Sequence, residues 1–279
     1  MTRLYIALGV LVVSQVVRRY FTPKRAAKNI ADLARKVYST AHEYASVQPS
    51  EFPGHNHHYY DGAQAELESL GFRHLGDFEN VTLSRALPQM RTFLRRFTGD
   101  NGAIMSAVYQ VKYGGWMRLL AFFGRLQRRP YYIDFETEFT DGTFLATSNT
   151  GDSKHSSTAP GINQQRHPQQ TTLRNLVGIH RLRLAELVSQ GLIPLRINDI
   201  AEYHASQHRM TALKNRHRKA QGYVDLRQVQ EIAEAQGKAE TGAMIVAELA
   251  ALQYQDQPST SGTPPPMPGA TAGGTGFAT

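Results

Sequence analysis

The sequence has no cysteine among its 279 residues. This absence excludes a disulfide framework, a thiolate zinc site, an iron–sulfur cluster and a cysteine nucleophile. A Walker loop, a GxGxxG loop and a GxSxG elbow are also missing, so no common nucleotide-binding or hydrolase motif is present. Hydrophobic residues make up 41% of the chain, enough for a core, which excludes a collagen-like or wholly disordered protein. The sequence therefore points to no particular reaction.

Long apolar runs are scarce, and the one that stands out lies at the amino end. Residues 4–17, LYIALGVLVVSQVV, carry no charge. With aromatic residues up to Phe21 and snorkelling arginines, a helix from residue 4 would reach about 27 Å, close to the length that spans a bilayer. The pattern predicts a membrane anchor over residues 1–21. A cleaved signal peptide and a buried core helix are the alternatives, although the run lacks a cleavage site and a polar face.

Acidic residues are fewer than basic ones, 23 against 31, which gives a net charge of +8. Residues 1–49 hold eight basic and two acidic residues, so their net charge of +6 is most of that excess. Only Arg3 precedes the apolar run, whereas five basic residues follow it closely, and this bias places the carboxyl side in the cytoplasm. The sequence therefore predicts a single-pass protein near anionic lipid headgroups, and it favours these over nucleic acid as a partner.

A juxtamembrane amphipathic helix is predicted over residues 22–49, where Thr22 and Pro23 suit the first positions of a helix. Small residues follow at heptad spacing: Ala27, Ile30, Ala34, Val37, Ala41 and Tyr44. This seam could form a short coiled coil in a homodimer, but it is short, which favours packing on the helix's own domain.

The rest of the chain predicts a single α+β domain over residues 50–255 and a disordered Pro/Gly/Ser/Thr-rich tail over 256–279. A short helix over 63–70, capped by Asp61, opens the domain. Alternating residues and two hairpin turns predict four or five antiparallel strands in a meander, at 72–83, 90–97, 103–112, 131–139 and 143–149. Residues 150–170 are predicted to be a mobile or functional loop. Helical periodicity after residue 172 predicts helices that cover one face of the sheet.

The first candidate for chemistry is His180, which lies in the middle of an apolar helix face. It could act as a general base, or be a neutral core histidine bonded to a carbonyl or carboxylate, which is the favoured interpretation. The second candidate is the acidic stripe of Asp134, Glu136 and Glu138, which share one strand face. These carboxylates could serve acid–base chemistry or bind a cation, or form a solvated face opposite Arg91 or Arg95, as we expect.

Two histidine sets could suggest a metal, namely His55, His57 and His58 in one loop and the helical pair His204 and His208. Neither has a complete ligand set, so we expect no metal and no cofactor.

A basic patch is formed by Arg209, Lys214, Arg216 and Arg218, with no acid between Glu202 and Asp225. It could bind nucleic acid or lipid, or be a solvated helix face, which is favoured.

Residues 114–129 mix aromatic, aliphatic and basic side chains without an acid. This composition is typical of a helix at a membrane interface, although a core helix crossing the sheet fits equally well. The interfacial residues would be Trp116, Arg118, Phe122, Phe123 and Arg125.

Taken together, these features favour a membrane-anchored, cytoplasm-facing α+β domain that binds a ligand or partner at the membrane surface and is not an enzyme. The first alternative is a membrane-bound enzyme that uses His180 and Glu136. The least favoured alternative is a basic nucleic-acid-binding protein. Whether the partner is a protein or a second copy of the chain stays open.

Overall fold

The fold is built on one seven-stranded sheet whose spatial order follows chain order. A computed structural model describes residues 23–111, 131–151, 158–235 and 237–255. The strands are β1 Tyr44–Ser46, β2 Arg73–Asn80, β3 Phe93–Gly99, β4 Ile104–Gln110, β5 Tyr131–Glu138, β6 Phe144–Ser148 and β7 Ile162–Arg166. All neighbours are antiparallel except β6 and β7. The α+β class is confirmed, but the prediction of four or five purely antiparallel strands is wrong.

The two strands that the sequence pattern does not predict lie at the edges of the sheet. β1 has three residues, too few to show a period. β7 reads INQQR, in which only Ile162 is apolar, and it falls inside the predicted loop 150–170. Its backbone pairs with β6 on one side, and this pairing does not require apolar side chains. Hydrophobic periodicity therefore cannot reveal it.

Within the described ranges, seven α-helices accompany the sheet. They are α1 at residues 23–38, α2 His57–Ser69, α3 Val81–Ala86, α4 Leu173–Ser189, α5 Ile200–Ala220, α6 Leu226–Ala235 and α7 Ala239–Gln255. The cap of α2 is Asn56, whose side chain accepts from the Tyr59 N–H, so the expected cap at Asp61 is wrong. Asp199 caps α5, and its side chain accepts from the Glu202 N–H.

Helix α1 ends at residue 38 instead of continuing to 49, and Tyr44 of the predicted seam belongs to β1. Ala27 and Ala31 are buried with Val224 and Leu249 of the carboxyl half. The helix therefore packs on its own chain, and α1 and β1 both join the fold before residue 50.

Helices cover both faces of the sheet, not one as predicted. The first face is covered by α2 and α4 over an apolar core that includes Phe93, Phe97 and Phe135. The second face is crossed by α5, where Tyr203 and Met210 are almost fully buried. Because side chains alternate along a strand, the carboxylates of β5 point to the second face and lie beneath α5.

No helix within the described ranges is both long and apolar enough to cross a bilayer. The predicted anchor at 1–21 lies outside the described residues, as do the interfacial segment 114–129 with its five interfacial residues and the tail at 256–279. The predictions for these segments stay predictions.

Candidate functional site

His180 lies in the core of the first face and is fully buried. Its Nε2 is 3.0 Å from the Thr137 hydroxyl, and its Nδ1 is 2.9 Å from the Thr147 hydroxyl. Thr137 donates its only hydroxyl proton to the Ala103 carbonyl at 2.8 Å, so it accepts from His180 Nε2–H. The Thr147 hydroxyl then donates to Nδ1. Both ring nitrogens are satisfied by a neutral ring, and burial lowers the pKa of His180 to about 3.

The weak catalytic pair of His180 and Glu136 is not brought together. His180 bonds to Thr137 on the first face, whereas the neighbouring Glu136 points to the second face, where it accepts a hydrogen bond from Gln207 of α5. The sheet itself separates the two groups, since adjacent strand residues point to opposite sides. The two groups therefore cannot act on the same substrate atom.

The acidic stripe is not the solvated face that the sequence predicts, because α5 covers it. Glu138 is buried and accepts from Arg209 Nε at 2.5 Å and from Nη2 at 2.8 Å. The expected partners are engaged elsewhere. Arg91 pairs with Glu79 at 2.6 Å, and Arg95 pairs with Asp77 at 2.9 Å on the first face.

A cavity of about 240 Å³ opens on the second face beside the stripe. Side chains of three adjacent strands form its floor, namely Leu94, Tyr109 and Asp134. Its wall is α3 and the turn that follows, which contribute Leu83, Leu87 and Met90. The sequence pattern does not predict this wall, because it places Leu83 in the strand at 72–83. The strand ends at Asn80 because its side chain caps α3 by accepting from the Leu83 N–H at 3.1 Å. We call this space the Asp134 cavity.

Asp134 is the one acidic group among the described residues that line the cavity. Its Oδ2 accepts from the Tyr109 hydroxyl at 3.0 Å. The Asp134 side chain is half-buried. Burial and the nearby charge of Glu136 raise the pKa of Asp134 to about 7, against the opposing effects of Tyr109 and Lys214. A carboxyl at this pKa can hold or release a proton near neutral pH.

A fully buried cation, Arg96, lies on the second face in register with Asp134, with Ala107 between them. The sequence pattern did not predict its burial. Its guanidinium carbon is 4.0 Å from the ring centre of Tyr44, 4.8 Å from that of Tyr203 and 5.4 Å from that of Phe78. The faces of aromatic rings attract a cation, so these three rings offset part of the cost of burial. This arrangement joins residues from four elements, β1, β2, β3 and α5, and no local sequence pattern predicts it.

The histidines do not converge. His204 stacks on Tyr44 at 5.2 Å, and burial together with Arg96 lowers its pKa to about 4. His57 lies near Phe93 of the first face, and its Nε2 is 3.1 Å from the Phe52 carbonyl oxygen. Among the described residues, no group of three or more potential ligands could hold a metal ion.

The predicted basic patch is divided. Arg209 is neutralised by Glu138, whereas Lys214 and Arg218 line one small cavity and Arg216 lines another. It is therefore not one flat basic surface.

Comparison of the chain with protein-family models, with curated proteins and with solved structures finds no match.

Proposed function

We propose that the protein is a membrane-anchored, cytoplasm-facing domain that binds a small amphiphilic molecule in the Asp134 cavity and catalyses no reaction. The observation that carries the proposal is a half-buried carboxyl in a largely apolar cavity, with its pKa raised to about 7. An ionised carboxyl in such surroundings destabilises the fold, and perturbed groups of this kind cluster at functional sites. The separation of His180 from Glu136 by the sheet argues against the enzymatic alternative that uses this pair.

The cavity favours a short apolar chain that ends in an amine. Its volume of about 240 Å³ is below the roughly 300–1,000 Å³ of cavities that hold drug-sized ligands, so the molecule is small. Leucine and methionine side chains suit an alkyl chain, and the carboxylate suits a cationic end. An ammonium group next to Asp134 would supply a close countercharge in a poorly solvated site.

Hexylamine is a suitable probe, with hexanol as the uncharged control of the same length. We expect the full chain in nanodiscs to bind hexylamine about tenfold more tightly at pH 8 than at pH 6. Asp134 ionises across this range, and apparent affinity scales with the ionised fraction. Calorimetric titration, corrected with empty nanodiscs, measures both constants.

The matched variant is Asp134→Asn, which keeps the shape of the side chain and removes its charge. It should bind hexylamine with no pH dependence, and hexanol binding should not depend on pH in either protein. The proposal is wrong if neither probe saturates, or if the variant keeps the tenfold difference.

The anchor is tested separately by fractionation of cell membranes. Full-length protein should sediment with membranes and resist carbonate extraction, since residues 4–17 are apolar. Removal of residues 1–21 should release the protein, and moving the flanking positive charge to the amino side should reverse a topology reporter. Intact full-length protein in the soluble fraction would rule the anchor out.

A further inference from the structure

A chain of hydrogen bonds joins the end of α1 to the wall of the Asp134 cavity. His42 lies between α1 and β1, where its Nε2 is 3.3 Å from the Val37 carbonyl oxygen and its Nδ1 is 3.0 Å from Asn80 Nδ2. The Asn80 Oδ1 accepts from the Leu83 N–H, and this bond is the cap of α3. Asn80 and Leu83 both line the cavity, so His42 is linked to the cavity wall through one side chain.

The proton positions along this chain are fixed by its two ends. The Leu83 N–H can only donate, so the oxygen of the Asn80 amide faces Leu83 and the NH2 group faces His42. The NH2 group donates to His42 Nδ1, and this nitrogen must therefore carry no proton. The one proton of the neutral ring is on Nε2, which donates to the Val37 carbonyl. The cap of α3 thus requires a neutral His42.

A protonated His42 competes with Leu83 for the amide oxygen of Asn80. When both ring nitrogens carry a proton, Nδ1–H faces the NH2 group, and two donors repel each other. Rotation of the amide brings its oxygen to Nδ1–H in a charge-assisted hydrogen bond, which is about twice as strong as a neutral one. The same rotation turns the NH2 group towards the Leu83 N–H and removes the cap.

The His42 ring is held in place during this competition, because the chain around it is bonded to α3. The Val81 N–H donates to the Glu43 carbonyl at 2.9 Å, and the Glu43 N–H donates to the Thr82 hydroxyl at 3.0 Å. The Glu43 carboxylate pairs with Arg85 of α3 at 2.9 Å. Since Nε2 carries its proton in both states of the ring, the amide is the group that turns.

The surroundings of His42 set the pH at which its ring is protonated. Burial lowers the pKa of His42 from its usual value, and the hydrogen bond to the Val37 carbonyl opposes this effect. Lys214 and His208 face the ring from α5, and their charges lower its pKa further. His42 is therefore protonated at a lower pH than Asp134, whose pKa is raised to about 7.

We infer that protonation of His42 releases the cap of α3 and loosens the wall of the Asp134 cavity, so that acidification expels the ligand. Leu83, Leu87 and Met90 reach the cavity from α3 and the turn that follows. Because α3 has only six residues, loss of its side-chain cap disturbs the whole element. The link to the ligand rests on the proposed function, whereas the link from His42 to the cap does not.

The test measures hydrogen–deuterium exchange at the Leu83 amide of the full chain in nanodiscs at pH 7.5 and pH 5, with rates corrected for the intrinsic effect of pH. In the wild type we expect the protection of Leu83 to fall about tenfold at pH 5, which suits the loss of a side-chain cap. The matched variant is His42→Asn, whose amide oxygen can accept in place of Nδ1 and never ionises, so its protection should not change. The Asn175 amide, capped by the Thr172 hydroxyl, is the internal reference.

Asn80→Asp is a second variant, which keeps the test valid if His42→Asn disturbs the fold. A carboxylate has two accepting oxygens, so one can cap Leu83 while the other accepts from protonated His42. The protection of Leu83 should then be retained at pH 5. An equal loss of protection in the wild type and both variants would overturn the inference, as would full protection of the wild type at pH 5.

Hexanol binding connects the cap to the cavity, because hexanol carries no charge and does not report the ionisation of Asp134. His42 is largely neutral between pH 8 and pH 6, so the effect on hexanol requires the lower pH. We expect the wild type to bind hexanol about fivefold more weakly at pH 5 than at pH 7.5, because the capped form is then a minority, and His42→Asn to bind it equally at both values.

The two measurements separate this inference from the proposed function. Unchanged hexanol binding in a wild type that has lost its cap would overturn the regulation of the cavity by His42. If hexanol binds at neither pH, the proposed function is contradicted, and the exchange of the Leu83 amide still decides whether His42 controls α3.

Discussion

Replacing Asp134 with asparagine should stabilise the folded protein at pH 8 by about 2–4 kcal/mol. An aspartate in the unfolded chain ionises near pH 4, whereas burial raises the pKa of Asp134 in the folded protein to about 7. Between pH 4 and pH 7 the folded state binds the proton more tightly than the unfolded state does, so raising the pH lowers the unfolding free energy. This loss of stability grows across the window and is complete above pH 7. Asparagine never ionises, and its amide oxygen can still accept from Tyr109.

The measurement is denaturant unfolding of the two proteins from pH 5 to pH 8. The gap in unfolding free energy should widen by about 2–3 kcal/mol across this range, at about 1.4 kcal/mol for each pH unit up to the folded-state pKa. Asp141→Asn is the control, because Asp141 is exposed and hydrogen bonds from Thr143 lower its pKa. It is ionised throughout, so its gap should stay constant. A constant gap for Asp134→Asn as well would show that the carboxyl is not buried in this way.

The same residue links stability with the proposed function. Without the Asp134 carboxyl the protein would be more stable at neutral pH. The carboxylate therefore lowers the unfolding free energy, and a bound cationic ligand can offset that loss. Hexylamine should therefore stabilise the wild-type protein at pH 8 and have a much smaller effect on Asp134→Asn, which has no carboxylate to pair with it.

The parts of the fold that the sequence predicts are those with strong local periodicity. β5 alternates cleanly from Tyr131 to Glu138, and α4 places its leucines on one face, so both were found. The face of α4 also predicts that His180 is buried. Its partners could not be predicted, because Thr137 and Thr147 lie 43 and 33 residues away and offer neutral hydroxyls, not the expected carbonyl or carboxylate.

The Asp134 cavity depends on long-range packing, and local patterns do not encode it. The alternation of β5 predicts that Asp134, Glu136 and Glu138 share one face. Whether that face is covered depends on where α5 crosses the sheet. An antiparallel sheet can face water on one side, which is the rule behind the expectation of a solvated face. The expectation is wrong here because a polar helix covers that face. Most residues of α5 are polar, so its sequence does not predict that this helix covers the sheet.

His180 provides the other large expected effect, and its pH dependence runs opposite to that of Asp134. His180→Ala should lower the unfolding free energy by about 1–3 kcal/mol at pH 7.5, since it removes a packed ring and leaves two threonine hydroxyls without their partner. A free histidine ionises near pH 6.5, whereas burial lowers the pKa of His180 to about 3 in the folded protein. Its stabilising contribution is therefore complete above pH 6.5 and is lost as the pH falls towards 3.

The cost of His180→Ala should accordingly shrink on acidification and be close to zero by about pH 5, because 1.5 pH units below the unfolded pKa correspond to about 2 kcal/mol. Denaturant unfolding at several pH values measures this trend. His58→Ala is the control, because the His58 side chain is exposed and its removal should change the unfolding free energy little. Hexylamine binding by His180→Ala should stay at the wild-type level once the protein is folded, because the ring lies on the other face of the sheet from the Asp134 cavity. If the variant instead keeps full stability and loses binding, His180 is a ligand-binding group, and the assignment of the ring to the core is wrong.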